Sequence, residues 1–234
     1  MKNTLLLLTV AALLGSCNAQ TDKKEVSLLT FNDSVSYALG SSIGVNLMGD
    51  FKSQGIDSSF SSDLVIAGIS DAIYGDSAKV SDKESRKLVE TFFNDLNKQR
   101  LQKNLAVGEV FLKDNGSKAG VITTESGLQY IVLKEGEGDS PTTADQVRVH
   151  YTGKLLNGKV FDSSVERNEP VVFFVRAVIP GWTEALQLMK PGAEYKLFIP
   201  SALAYGERGG PKGSGIGPNE VLIFDVKLID IIKE

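Results

Sequence analysis

Four short pieces of this chain carry side chains that could form a reaction site. They are Val149-His150-Tyr151-Thr152-Gly153, Phe161-Asp162-Ser163-Ser164, Val178-Ile179-Pro180-Gly181-Trp182 and Ala204-Tyr205-Gly206. They offer aromatic and aliphatic surface, one carboxylate and two tyrosine hydroxyls. They contain no evident nucleophile–base pair and no cluster of metal-ligand residues. Brought together, they would make an apolar cleft with few polar groups. Such a cleft suits a reaction that needs a dry, shaped site rather than a covalent intermediate.

Taken singly, each residue also has a plainer role. Trp182, Phe161 and Phe224 fit a hydrophobic core, and Asp162 before two serines fits a turn. Asp225 follows Phe224 on a strand and reads as solvent-facing or structural. His150 alternates away from Val149 and Tyr151, which assigns it to the surface or to a structural bond. Ser163 and Ser164 lack the flanking glycines of a nucleophile elbow. Gly136-Glu137-Gly138 opens no helix, and the glycines after Tyr205 precede a strand, so neither stretch is a phosphate loop.

These pieces must be held by elements whose periods are visible. Leu128 to Leu133 reads as a strand, and Val147, Val149 and Tyr151 alternate with polar residues as a half-buried strand does. Asn157-Gly158 signals a two-residue hairpin before Val160-Phe161. Val171 to Val175 is a short apolar strand. Trp182, Leu186 and Met189 have helical spacing, stopped by Pro191-Gly192. Glu194–Ile199 and Val221–Ile232 complete one antiparallel sheet with one helix packed on a face.

Upstream the texture is helical, and no proline occurs between Met1 and Pro141. Asn32-Asp33-Ser34 offers caps before Val35, Leu39, Ile43, Leu47 and Phe51. Ser61-Ser62-Asp63 opens a second helix, which Gly75-Asp76 closes. Ser81-Asp82-Lys83-Glu84 matches a capping box that opens a long third helix, running to about Lys113 with Gly108 as a loosening point. Its stripe Leu88, Phe92, Leu96 has too little partner surface in residues 28–75. A second copy of the chain must cover it, or the helix must be a solvated rod.

The chain has 234 residues, a net charge of −4, 42% hydrophobic residues and a single cysteine, Cys17. The charge and the lack of a Lys/Arg-rich run argue against nucleic acid. One cysteine excludes an internal disulfide. Lys2 and the apolar run Leu5 to Leu14 suit a secretory signal rather than a membrane span. Residues 18–27 are polar and read as a tether.

In order, Val149 to Gly153, Gly158 to Ser164, Val178 to Trp182, Tyr205-Gly206 and Leu222 to Val226 resemble an FK506-binding-protein (FKBP) type peptidyl-prolyl cis–trans isomerase. The helical part, through its architecture and Ser36-Tyr37-Ala38-Leu39-Gly40, is similar to the amino-terminal domain of the bacterial Mip and FkpA group. Leu14-Gly15-Ser16-Cys17 resembles the lipobox of bacterial lipoproteins, which implies lipids on Cys17 after removal of residues 1–16.

These resemblances imply an α+β chain of four parts. Residues 1–16 would be a lipoprotein signal, 17–27 a flexible tether, 28–116 a helical dimerisation domain with a long connecting helix, and 117–234 an antiparallel half-barrel of five or six strands around one short helix. Trp182 would floor the proline pocket, with Tyr151, Phe161 and Phe224 as walls. Val178 and Ile179 would line a side, and the Ile179 N–H and the Tyr205 hydroxyl would meet substrate carbonyls. Asp162 would sit at the edge, and Ile216 in the flap loop. The family often carries an aromatic residue where Val171 stands, so a pocket wider on that side is expected. The glycine-rich flap lacks the aromatic or histidine that some relatives carry.

The implied activity is rotation of X–Pro bonds in exported proteins, with no cofactor and no metal. The alternative is a holdase or proline-segment binding module with incidental turnover. A homodimer, macrolide inhibitors of the family and membrane contact through the lipid alone are implied partners. Asn18 after Cys17 favours the outer membrane, facing the periplasm.

Overall fold

The computed structural model describes residues 26–75 and 78–232. The signal segment, Cys17 and most of the tether lie outside the described residues. The chain separates into two compact units, one ending at Leu64 and the next beginning at Val65.

Helix α1 spans Phe31–Ser53. Its cap is Thr30 rather than Asn32 to Ser34. The Thr30 hydroxyl accepts from the Asp33 N–H, and the Asp33 carboxylate accepts from the Thr30 N–H at 2.8 Å. The reciprocal bonds satisfy donors at the open helix end. No residue of α1 is buried. After it, Phe51 stacks on Phe60 at 4.5 Å and Ile56 is enclosed.

Helix α2 spans Ser62–Tyr74, and helix α3 spans Asp82–Gly116. The Ser81/Glu84 capping box forms as expected. Gly108 does not loosen α3. A Cβ there would come within 2.8 Å of a Val221 methyl, so the bare backbone is what lets the helix lie close against the sheet. Leu101, Asn104, Gly108, Phe111, Leu112 and Asn115 recur at helical spacing along this docked face. The Gln129 side-chain N–H donates to the Leu112 carbonyl, the Asn115 side chain donates to Gln129, and the Phe111 ring meets Phe198 at 5.9 Å.

The sheet has seven strands where five or six were expected: β1 Ile122–Thr123, β2 Gln129–Lys134, β3 Gln146–Leu155, β4 Val160–Ser163, β5 Val171–Phe174, β6 Glu194–Ile199 and β7 Leu222–Ile232. All pair antiparallel in the order β1-β2-β6-β7-β3-β4, with β5 beside β4 on the same edge of β3. The alternation read in β3 is borne out, with Val147, Val149, Tyr151, Gly153 and Leu155 buried and their neighbours half-buried. Helix α4, Pro180–Leu188, packs Trp182, Ala185 and Leu186 into the hollow of the sheet.

The β3–β4 hairpin is not the expected two-residue turn. The Gly158 N–H donates to the Leu155 carbonyl, so Leu156-Asn157 form the centre and Gly158 takes the positive φ of 84°. Asn157 is not at positive φ, which a type I′ turn demands at both central positions.

Candidate functional site

The concave face of the sheet and α4 enclose a cleft of about 500 Å³, lined by Tyr151, Phe161, Asp162, Phe173, Ala177, Val178, Ile179, Trp182, Tyr205 and Phe224. Eight of the residues marked in the sequence meet here, from β3, β4, α4 and its approach, the loop after β6, and β7.

Trp182 is at the centre and 4% exposed. Proline at the first position of α4 pre-sets the helical φ where no N–H is needed. The carbonyl of Ile179 takes the N–H groups of Trp182 and Thr183, which fixes the indole to the helix start. Three rings stand edge-on to the indole: Tyr151 and Phe224 at 5.3 Å and Phe173 at 5.9 Å. Phe161 meets Phe224 at 5.5 Å, again edge to face. Such pairs prefer this geometry and hold one another rigid. Gly153 makes room for them, since a Cβ there would fall 2.5 Å from the Phe161 ring and 2.7 Å from Phe224.

The polar groups gather on one rim. The Tyr151 hydroxyl donates to Asp162, and Arg167 donates to the other oxygen of the same carboxylate. The Arg167 guanidinium also lies 3.5 Å from the Tyr151 oxygen. Burial opposes the Asp162 charge, but the hydrogen bonds from Tyr151 and Arg167 outweigh it and hold the carboxyl below its ordinary range. Burial, and then the bond to Asp162, push the Tyr151 hydroxyl up. Burial, and then the charge of Asp162, do the same to Tyr205. Both tyrosines are therefore neutral donors at physiological pH, beside a fixed anion.

Two marked residues do not line this cleft. Val171 pairs with Val149 and packs against the core. The aromatic cover expected at its position comes from Phe173, two residues further along the same face of β5, so the pocket is not opened on that side by Val171. Ile216 turns from the glycine-rich loop into the core cluster and is buried there, while its carbonyl accepts from the Gly210 N–H across the loop. Phe173, Ala177 and Arg167 are the residues that sequence reasoning missed. His150 takes a structural bond to Ser164 at 3.1 Å, and Asp225 pairs with Lys154 and Lys196.

Comparison with known proteins gives these features a context. The profile of the FKBP-type peptidyl-prolyl cis-trans isomerase domain matches residues 138–229, which contain the whole cleft. The domain amino terminal to that isomerase matches residues 32–132. The outer membrane protein MIP of Legionella longbeachae is 40% identical over 97% of both chains. The peptidyl-prolyl cis-trans isomerase Mip of Coxiella burnetii is 40% identical over the full length of both. The crystal structure of FkpA from Escherichia coli superposes with a TM-score of 0.63 at 37% identity, over 88% of this chain and 98% of that one. Matched end to end at this identity, and with both family segments in order, the chain belongs to the FKBP-type peptidyl-prolyl cis-trans isomerases.

Proposed function

We propose that this isomerase acts in the cell envelope on X–Pro bonds of exported proteins while they fold, through the cleft built on Trp182. The observation that carries the residue roles is the aromatic basket with its neutral hydroxyls on one rim.

Turning an X–Pro bond makes and breaks no covalent bond. It is slow, taking roughly tens to hundreds of seconds, because the barrier of about 20 kcal/mol comes mainly from lost amide resonance. A twisted amide is less polar than a planar one. A water-poor cleft therefore favours the twisted state over the ground state, which is the condition for catalysis. The proline ring rests on Trp182, enclosed by Tyr151, Phe161, Phe173 and Phe224. Tyr205 donates to one flanking carbonyl and the Ile179 N–H to another, holding the chain on either side while the bond turns. Val178 lines the side. Asp162, pinned by Arg167, orients Tyr151. No general base enters this scheme.

A protease-coupled peptide assay tests it. Tyr205→Phe should lower kcat/KM roughly 2- to 10-fold, the worth of one hydrogen bond. A macrolide inhibitor of the family should compete with peptide. Full activity in Trp182→Ala would remove the indole from the mechanism. The holdase reading drew on a wider pocket beside Val171 and on the missing flap aromatic; Phe173 covers the Val171 side, which leaves the flap as its one motive.

The same proposal includes a homodimer formed through residues 28–116, with 117–234 as the catalytic part. Leu39 and Ile43 of α1, one turn apart, are 63% and 60% exposed, and Leu64 and Ile73 of α2 are 74% and 73% exposed. A soluble chain seldom leaves such faces bare. Sedimentation of Leu39→Glu/Ile43→Glu should show monomer with unchanged peptide activity. An unaltered sedimentation coefficient counts against this interface.

Among the described residues no helix is long and apolar enough to cross a membrane. The lipobox-like Leu14 to Cys17 and the name of the Legionella relative support anchoring by lipid at Cys17 on the outer membrane. Loss of fatty-acid labelling in Cys17→Ser is the expected result.

A further inference from the structure

The docked half of α3 is joined by hydrogen bonds through Asn219 to Gly206, the residue next to Tyr205 on the cleft rim. Asn219 is buried at the point where the glycine-rich loop rejoins β7. Its side-chain N–H donates to the Leu101 carbonyl of α3 at 3.3 Å, and its backbone N–H donates to the Gly206 carbonyl at 2.8 Å. Gly206 directly follows Tyr205. One turn along the helix from Leu101, the Asn104 side chain donates to the Pro218 carbonyl at 2.8 Å and to Glu220 at 3.2 Å. Both ends of the loop, Gly206 and Pro218, are thus tied at one place, and that place is bonded to the helix. None of these residues lines the cleft.

The loop needs such a tie. Gly206, Gly209, Gly213 and Gly215 all sit at positive φ, and glycine gives up more freedom on ordering than any other residue. Asn219 itself has φ 53°, a conformation that asparagine tolerates.

We propose that Asn104 and Asn219 form a latch by which α3 fixes the Tyr205 hydroxyl, which makes both asparagines positioning residues for isomerisation. The proposal rests on Tyr205 acting as a donor to substrate. It also gives the long helix a direct effect on turnover, separate from any part it plays in assembly.

The test uses the full chain with Asn104→Ala and Asn219→Gly combined. Alanine favours the helix and glycine accepts the positive φ, so the side-chain bonds are lost without a forced change of backbone conformation. Peptide kcat/KM is measured in the wild-type and Tyr205→Phe backgrounds as a double-mutant cycle. The latch predicts a fall of roughly 2- to 10-fold in the first background and less than about 2-fold in the second. No fall in the first, or an equal fall in both, overturns it. Full activity in Tyr205→Phe alone overturns the donor role, and the latch with it, and is a distinct result. If circular dichroism shows that the combined variant does not fold, Asn219→Gly alone goes through the same cycle under the same criteria.

Discussion

Helix α1 and the second half of helix α3 present opposite kinds of face. In α1 Val35, Leu39, Ile43 and Val45 are exposed and no residue is fully buried. In α3 the docked face carries two asparagines and a glycine, and its polar groups find partners on β2 and at the end of the glycine-rich loop. The difference teaches that an apolar stripe marks a need for cover, whereas a docking face already satisfied within the chain can look polar in sequence. Tight approach at Gly108 and side-chain bonds at fixed distances specify one seating; an aliphatic stripe specifies only that water must leave.

The largest effect that separates the two regions is expected from Trp182→Ala. It removes the ring around which three others are arranged, so the sheet domain should lose about 3–5 kcal/mol of stability together with its peptide activity. Denaturant unfolding followed by circular dichroism checks this. A sheet domain of unchanged stability would break the view that the cleft rings also serve as core.

Glycine substitutions sharpen the contrast at smaller scale. Gly108→Val should destabilise by about 1–3 kcal/mol, because Val221 already occupies the space. Gly44→Ala in α1 meets nothing within 4 Å and should stabilise by about 0.5–1 kcal/mol. Thermal unfolding of both variants reads the difference. Destabilisation by Gly44→Ala would reveal a second surface on α1.

The smallest effect concerns pH. The Asp162 carboxyl is held below its ordinary value, so its contribution to stability is complete above about pH 4 and disappears as pH falls through the lowered value. The Tyr151 and Tyr205 hydroxyls are raised, so their contribution is complete below about pH 10 and disappears as pH rises through the raised values. Activity should therefore be flat from about pH 5 to pH 9. Arg167→Ala should move the acid limb upward. The stability change should be small, since the pair is half exposed and screened. A limb near neutrality in the wild type would contradict this account.

Much of the cleft was legible because its residues lie in local patterns. The alternation of β3, the run Glu194–Ile199 and Pro180 before Trp182 each state their own element. Thr30 as cap was hidden by three equally good capping residues after it. Strand β1 has two residues and exists through its partner β2. Phe173 was passed over because an apolar strand does not say which of its rings reaches the indole. Arg167 and Asn219 carry no local signal at all. Their partners are set by how loops return to the site, and Asn219 lies 118 positions from Leu101.

Trp182 is the chain's only tryptophan. The intrinsic emission of this protein excited beyond the tyrosine band thus comes from a single place, ringed by Tyr151, Phe173 and Phe224. Helices α1, α2 and α3 contribute no competing signal. Occupancy of the cleft can therefore be followed optically in the unlabelled, full-length protein, and a titration that shifts this emission counts filled sites directly.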